Sequence, residues 1–461
     1  MKNIFLSFIL LFSLGSTLSA QKITPFKDGE RAVFLGNSIT DGGHYHSYIW
    51  LYYMTRFPEM RLTVLNAGIG GDRAIDMLRR LDGDVFSKRP TMLITTFGMN
   101  DTGYFEYNGD EPEKFADEKV KESYDAYKQI EERYKKLENT KIVLMGSSPY
   151  DETAVIEGNT PFRNKNKAML RIVDFQRESA KNNGWQFFDL NQPMTALNEQ
   201  FQQKDPTFAL CGNDRIHPDN DGHMVMAYLF LKAQGFAGKG VADINIDAAK
   251  ASVVSSSNCE ITELRKTSTG ISFDYLANSL PYPMDTIPRG WGCKKSQSQA
   301  SDIIPFMDEM NKEVLTVNGL KGKYRLLIDG EEIGVWSAGD FAKGINLAAL
   351  SNTPQYQQAL QVMYLNEERW ETERRTREYA WVQFNFFLPK GITDLSTREA
   401  IEVLDKYKDS DGWLRGRRDI FSKGMFPQIK KIWQSQQDLF IDTIYEINTP
   451  VKRKITLTRV K

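Results

Sequence analysis

Cysteine is scarce in this chain of 461 residues. There are three, Cys211, Cys259 and Cys293, and no two stand at the CxxC spacing of a zinc or dithiol site. Histidine is nearly as rare, with four: His44, His46, His217 and His223. An excess of either charge is also missing. Lys and Arg number 59 and Asp and Glu 60, for a formal net charge of −1. That balance removes the electrostatic basis for binding nucleic acid or an anionic membrane surface. The longest apolar run, Ile4 to Leu14, is too short to span a bilayer. No internal repeat or low-complexity tract occurs. What remains is the composition of a globular protein, 41% hydrophobic and 26% charged, in a chain too long for one ordinary core.

The N-terminus reads as a secretory signal. Lys2 supplies the positive start, Ile4–Leu14 the apolar stretch, and Ser16-Thr17-Leu18-Ser19-Ala20 the small-residue end. Cleavage after Ala20 would release the mature chain to the periplasm or the outside, with an uncleaved anchor as the alternative. No cysteine near that point offers a lipid-anchor site. An exported protein permits disulfides. Cys259 and Cys293 are then a possible pair, which the sequence leaves open.

Two domains are expected after residues 1–20: one over 21–238 and one over 239–461. In the first, short apolar strands alternate with helical patterns. The strands are Ala32–Leu35, Leu62–Leu65, Met92–Phe97, Ile142–Met145 and Trp185–Asp189. One helical face carries Ile75, Leu78, Leu81 and Val85. Another carries Val120, Tyr124, Tyr127, Ile130, Tyr134 and Leu137. A last helix runs from about Asp219 to Gln234. Continuous apolar strands separated by helices predict an α/β domain with a parallel sheet covered on both faces. The second region alternates like a small β-sandwich, with a hairpin at Asp329-Gly330. A long Pro-, Gly- and Ser-rich stretch lies between Pro281 and Pro305. A helical insertion spans about 352–446, and a strand returns at Val451–Val460. The charged helix from Gln355 to Tyr379 reads as a solvated packing face, with a cover over the active site or a dimer contact as alternatives.

Four short segments carry chemistry: Gly36-Asn37-Ser38-Ile39-Thr40, Asn66-Ala67-Gly68-Ile69-Gly70-Gly71-Asp72, Gly98-Met99-Asn100-Asp101 and Asp214-Arg215-Ile216-His217. Singly, each has a structural explanation. Ser38 can be a helix N-cap, the glycines a tight turn, Asn100-Asp101 a turn, and Asp214 a capping residue. Together they make a set. The first three follow predicted strands at their carboxyl ends, where sites form in parallel sheets. Ser38 is a nucleophile that needs a base, and His217 is that base. Asp214, three residues earlier, is placed to orient the imidazole. The Ser38 and Gly71 amides and the Asn100 side chain are candidate oxyanion donors.

In this order the segments resemble the SGNH (GDSL-like) hydrolase superfamily, named for its Ser, Gly, Asn and His residues. The resemblance covers roughly Val33 to Gln234. Ser38 matches the nucleophile, Gly71 and Asn100 the oxyanion donors, and Asp214 with His217 the Asp-x-x-His pair. Asn37 departs from the Asp of the GDS motif. The resemblance implies a flavodoxin-like three-layer domain on a five-stranded sheet, hydrolysis through an acyl-enzyme, and neither metal nor organic cofactor.

His44, His46, Tyr104, Tyr107 and Tyr150 are candidates for substrate contact, with ordinary packing as the alternative. The two histidines lack a carboxylate or cysteine companion at metal-ligand spacing. His223 reads as a packing residue. The expected activity is that of an exported serine esterase removing small acyl groups, O-acetyl foremost, from carbohydrate. A lipolytic esterase or lysophospholipase with the same residues is the alternative, with Ile49–Met54 as part of an acyl groove. A non-catalytic glycan-binding protein is a third. The expected partner is an acylated carbohydrate, and the oligomeric state is left open.

Overall fold

The computed structural model describes residues 22–460; the expected signal segment at 1–20 lies outside the described residues. Strands β1 (Arg31–Gly36), β2 (Thr63–Gly68), β3 (Met92–Thr95), β4 (Lys141–Gly146) and β5 (Gln186–Asp189) form one sheet in the order β2-β1-β3-β4-β5. Every pairing in it is parallel. This is the flavodoxin-like order expected of the α/β domain. Alternation along β1 shows why both faces are covered. Ala32 and Phe34 pack into one core cluster, while Val33 and Leu35 pack into the other. The first cluster includes residues of α2 (Tyr45–Arg56) and α7 (Asn220–Ala233). The second includes residues of α3 (Ala74–Arg80), α4 (Pro112–Tyr134) and α5 (Lys165–Asn183).

The C-terminal half adds two more sheets. Strands β6 (Ala242–Asp247), β7 (Ser252–Ser257), β10 (Glu313–Asn318) and β13 (Ile345–Asn346) are ordered β13-β10-β6-β7. Strands β8 (Cys259–Lys266), β9 (Gly270–Ala277), β11 (Lys323–Ile328), β12 (Glu331–Ser337) and β14 (Arg453–Arg459) are ordered β12-β11-β14-β9-β8. Ile244, Ile246, Leu315 and Val317 share a core with Phe273, Leu326, Ile455 and Leu457, the packing of a sandwich. The predicted hairpin is present. Asp329 and Gly330 adopt φ of 53° and 92°, the left-handed pair that a two-residue turn requires. The returning strand β14 pairs with both β9 and β11.

Between β13 and β14 lie α10 (Pro354–Trp381), α11 (Arg398–Tyr407), α12 (Gly412–Gly424) and α13 (Pro427–Ile447). A π-helical turn at Val382–Phe387 extends α10. The structure corrects the expectation that the α10 charges are solvated. Glu367, Arg369, Glu373 and Arg377 are buried against the first half of the chain, where they find partners and so escape the cost of unpaired burial. All twelve residues of α2 are buried as well, because α7 and α10 both pack on it. Ala359, Val362 and Met363 of α10 belong to the same core as Trp50 and Leu51.

The three cysteines are free thiols, so Cys259 and Cys293 do not pair. The stretch from Pro281 to Pro305 is packed at both ends, with Tyr282 and Gln297 buried beside α7, while most of Thr286–Lys294 is exposed. Among the described residues no helix is long and apolar enough to cross a membrane.

Candidate active site

Ser38 opens the four-residue helix α1 (Ser38–Asp41) directly after β1. Asn37, which departs from the family motif, is its N-cap, and its side chain accepts from the Ile39 N–H at 3.0 Å. The cap holds the turn and leaves the Ser38 hydroxyl to other partners. That hydroxyl lies 2.8 Å from His217 Nε2, while His217 Nδ1 lies 2.5 Å from Asp214 Oδ2. The other Asp214 oxygen accepts from the backbone of Ile216 and His217 at 2.9 and 3.0 Å. Burial alone would push the Asp214 carboxyl up. The hydrogen bond and charge of His217, with those two amides, outweigh it and hold the carboxyl below its usual range. The tautomer that donates from Nδ1 to an ionised Asp214 leaves Nε2 facing the Ser38 hydroxyl.

The Asp214–His217 loop is closed at its base by a bridge between Cys211 and Pro218 and by Gly212 N–H to His217 O at 2.7 Å. Arg215 has φ of 67° and is buried, with its guanidinium on the carbonyls of Asp151, Ala154 and Asn159. A left-handed backbone at a residue that is not glycine costs energy. The inward anchor of Arg215 offsets that cost and leaves Asp214 on the exposed side of the loop. The sequence reading missed Arg215. The only signal is a long cation between the two motif residues.

Asn100 follows β3. Its Nδ2 donates to Asp72 O at 3.0 Å and its Oδ1 accepts from the Tyr104 hydroxyl at 2.5 Å. With the carbonyl oriented and one amide hydrogen in use, the second hydrogen is free to donate. Lys165, also missed, sits beneath this loop. Its ammonium donates to Met99 O, Thr102 Oγ1 and Gly103 O and lies 4.1 Å from the Tyr104 ring centre. Burial pulls it down to about 7, against the carboxylates of Asp101 and Glu152. Gly71 occupies the turn after β2 with φ of 90°, a conformation that suits glycine.

The remaining candidates serve as supports. Tyr104 orients Asn100. Tyr150 is buried and accepts from the Phe162 N–H. Tyr107 is buried edge-on to Phe115. His46 is buried with Nε2 3.1 Å from Thr40 O, and burial lowers it to about 4, so it stays neutral. His44 is buried under Trp370, stacked at 4.1 Å, with Glu367 at 3.2 Å from its Nε2. His44, His46 and Tyr150 are therefore buried, and Tyr107 borders a separate cleft of about 220 Å³ beside Pro112 and Arg171. His223 is a buried packing residue on α7. Among the described residues no group of three His, Cys, Asp or Glu side chains is arranged to hold a metal ion.

The C-terminal half supplies the walls. Trp291, from the long Pro281–Pro305 stretch, lies edge-on to His217 at 6.5 Å and to Trp413 at 6.1 Å. A Cβ added to Gly42 would come within 2.5 Å of the Trp291 ring, so glycine there lets the indole rest on the nucleophile's own turn. Trp413 stacks on Trp381 at 6.4 Å, and the Arg417 guanidinium lies within about 5 Å of both. A cleft of about 610 Å³ opens beside Gly70 and Gly71, walled by Trp381, Phe384, Tyr407 and Trp413 and rimmed by Arg73 and Asp411. A second, of about 350 Å³, runs past His217, Trp291 and Cys293.

A doubly covered parallel sheet with serine, histidine and aspartate in line at its carboxyl edge is the framework of a class of hydrolase. Residues 34–225 match the model of the GDSL-like lipase/acylhydrolase family. The chain belongs to this family and is a serine ester hydrolase. Residues 360–449 match a model described as the diltiazem deacetylase C-terminal helical domain. The chain is similar to a gut microbial diltiazem-metabolizing enzyme of known structure, at 61% identity and a TM-score of 0.94. That match covers 96% of this chain and 100% of the other. It is also 30% identical to the acetylxylan esterase of Geobacillus stearothermophilus over 227 residues, 45% of this chain and 95% of that protein.

Proposed function

We propose that this chain is an exported deacetylase, hydrolysing O-acetyl esters of carbohydrates through Ser38, His217 and Asp214. The observation that carries the mechanism is the unbroken line from Asp214 through His217 to Ser38, at 2.5 and 2.8 Å. His217 Nε2 takes the hydroxyl proton as Ser38 Oγ bonds to the acetyl carbon. The oxyanion that forms is held by the Ser38 and Gly71 amides and Asn100 Nδ2. Collapse of the intermediate breaks the ester bond, and His217 gives its proton to the leaving alcohol. Water then attacks the acetyl-enzyme with His217 again as base, and acetate leaves.

The acyl group is read from two relatives, named for diltiazem and for acetylated xylan, and from the match of residues 360–449 of this chain to a model described as a diltiazem deacetylase domain. Indole faces with a polar rim suit the flat apolar face and ringed hydroxyls of a sugar. A second reading rests on the 61% identity to the diltiazem-metabolizing enzyme: a small acetylated aryl compound occupies the same cleft. The lipolytic alternative loses support, since Ile49–Met54 is wholly buried in α2.

Acetate release from acetylated xylan, other acetylated glycans, diltiazem and glycerol esters of rising chain length tests this reading. A preference for acetylated glycans, abolished by Ser38→Ala, supports it. Rates that climb with acyl length would replace it with the lipolytic one. Trp413 is 51% exposed, a large indole face left for a ligand. Trp413→Ala should raise KM for the preferred glycan by roughly tenfold, about 1.4 kcal/mol of lost binding, and raise that for 4-nitrophenyl acetate far less. Equal changes for both esters would remove the cleft from glycan binding.

A further inference from the structure

Strand β2 is the outer strand of its sheet, so one row of its backbone groups lacks a strand partner. Side chains from α10 and its π-helical extension fill that row. Glu373 accepts from the Asn66 N–H at 2.9 Å. Arg377 donates to Gly68 O at 3.0 and 2.7 Å. Trp381 Nε1 and Asn385 Nδ2 donate to Gly70 O at 3.0 and 3.2 Å. Glu373, Arg377 and Trp381 recur every fourth residue and their targets, Asn66, Gly68 and Gly70, every second; Asn385, one turn further on, shares Gly70 O with Trp381. Four helical residues advance about 6 Å and two extended residues about 6.6 Å. The helix can therefore run beside the chain in step, as a strand would. From the other side, Asp41 Oδ2 accepts from the Gly70 N–H at 2.9 Å.

We infer that Trp381 and Asn385 are positioning residues that set the Gly70–Gly71 peptide so that its N–H serves the oxyanion. In a trans peptide the carbonyl and the N–H point in opposite directions. Two donors on Gly70 O turn that oxygen toward the helix. The Gly71 N–H then points toward β1, whose carboxyl end carries Ser38. Among the described residues no acceptor takes this N–H. Gly71 has no side chain to resist a rotated peptide, so the orientation has to come from outside the turn, and the C-terminal helical segment provides it. The inference rests on the reading of Gly71 as an oxyanion donor. It makes that segment part of the catalytic machinery, beyond its contribution to the walls of the cleft.

The test is steady-state hydrolysis of 4-nitrophenyl acetate by the full chain carrying Trp381→Phe, Asn385→Leu or both, with thermal melting as a check on folding. Each single variant removes one of the two donors and should lose roughly threefold to tenfold in kcat. The double variant should lose ~10²–10³-fold, the cost of one oxyanion donor, with KM changed less than about twofold. Asn100→Ala is measured alongside. A double variant within about threefold of the intact enzyme, beside an Asn100→Ala variant that has lost ~10²-fold, would overturn the positioning role and leave the oxyanion reading standing. Near-normal turnover by Asn100→Ala would overturn the oxyanion reading and this inference with it. Should the double variant not fold, the single variants decide. A drop in kcat at unchanged KM and melting temperature in either supports the role, and no drop in both rejects it.

Discussion

Ser38→Ala and His217→Ala are each expected to lower turnover of an acetyl ester by ~10⁴-fold or more, with the fold intact, because members of such a line act as a unit. The two losses should be similar. Without the base the hydroxyl keeps its proton, and without the hydroxyl the base has nothing to deprotonate. The double variant should lose little more than either single one. Melting temperature should stay close to that of the intact chain. Ser38→Ala removes a single hydroxyl, and the α1 turn is fixed by Asn37 and Asp41. Steady-state rates and thermal melts on the three variants check both halves of the prediction. Near-normal turnover in either single variant would sink the mechanism.

Arg377→Ala should be the most damaging single change outside that line. Arg377 is buried and donates to Asp84 at 2.8 and 2.9 Å as well as to Gly68 O. Asp84 also meets Arg80 and Lys88, each at 2.5 Å, and Arg80 meets Asp72 at 2.7 Å. Truncating one member of a buried charged network costs about 3–5 kcal/mol, here measured by denaturant unfolding. The loss has a pH signature. Burial would push the Asp84 carboxyl up, but Arg377, Lys88 and Arg80 hold it well below its usual range. A carboxylate depressed in the folded state stabilises fully above its unfolded pKa and loses that contribution as pH falls through its folded value. The penalty of Arg377→Ala should therefore be complete at neutral pH and shrink only below the usual carboxylate range. A penalty independent of pH, or below about 1 kcal/mol, would mean that the network is solvated in solution.

Much of the α/β half is legible in the sequence, since its strands are apolar runs and its helices hold a period near 3.6. The four segments can be found because each follows such a strand or opens the last helix. In the second half the Asp329-Gly330 hairpin and the return of β14 are legible for the same local reasons. The role of α10 is not. Arg369, Glu373 and Arg377 look like a solvated stripe, because the sequence does not disclose that Asn66, Gly68 and Asp84 supply their partners. Within the expected helical insertion, α12 has no clear period of its own because Gly412, Gly416 and Gly424 weaken its pattern, while Asp411 caps it by accepting from the Trp413 and Leu414 amides. His44 and His46 look available as polar residues beside the nucleophile. Burial under Trp370 and against Thr40 becomes visible only when distant segments are brought together. Trp291 and Trp413 face the site from positions 74 and 196 residues beyond His217, distances over which periodicity carries no information.

The most direct test of the Ser38 mechanism is to trap the acyl-enzyme. The intact chain is mixed with 4-nitrophenyl acetate, quenched in acid during the first turnover and digested for mass spectrometry. The mechanism predicts one acetyl group on the peptide that holds Ser38, absent from Ser38→Ala and lost as turnover proceeds. An acetyl group carried elsewhere, or acetate released at an undiminished rate by Ser38→Ala, would contradict it.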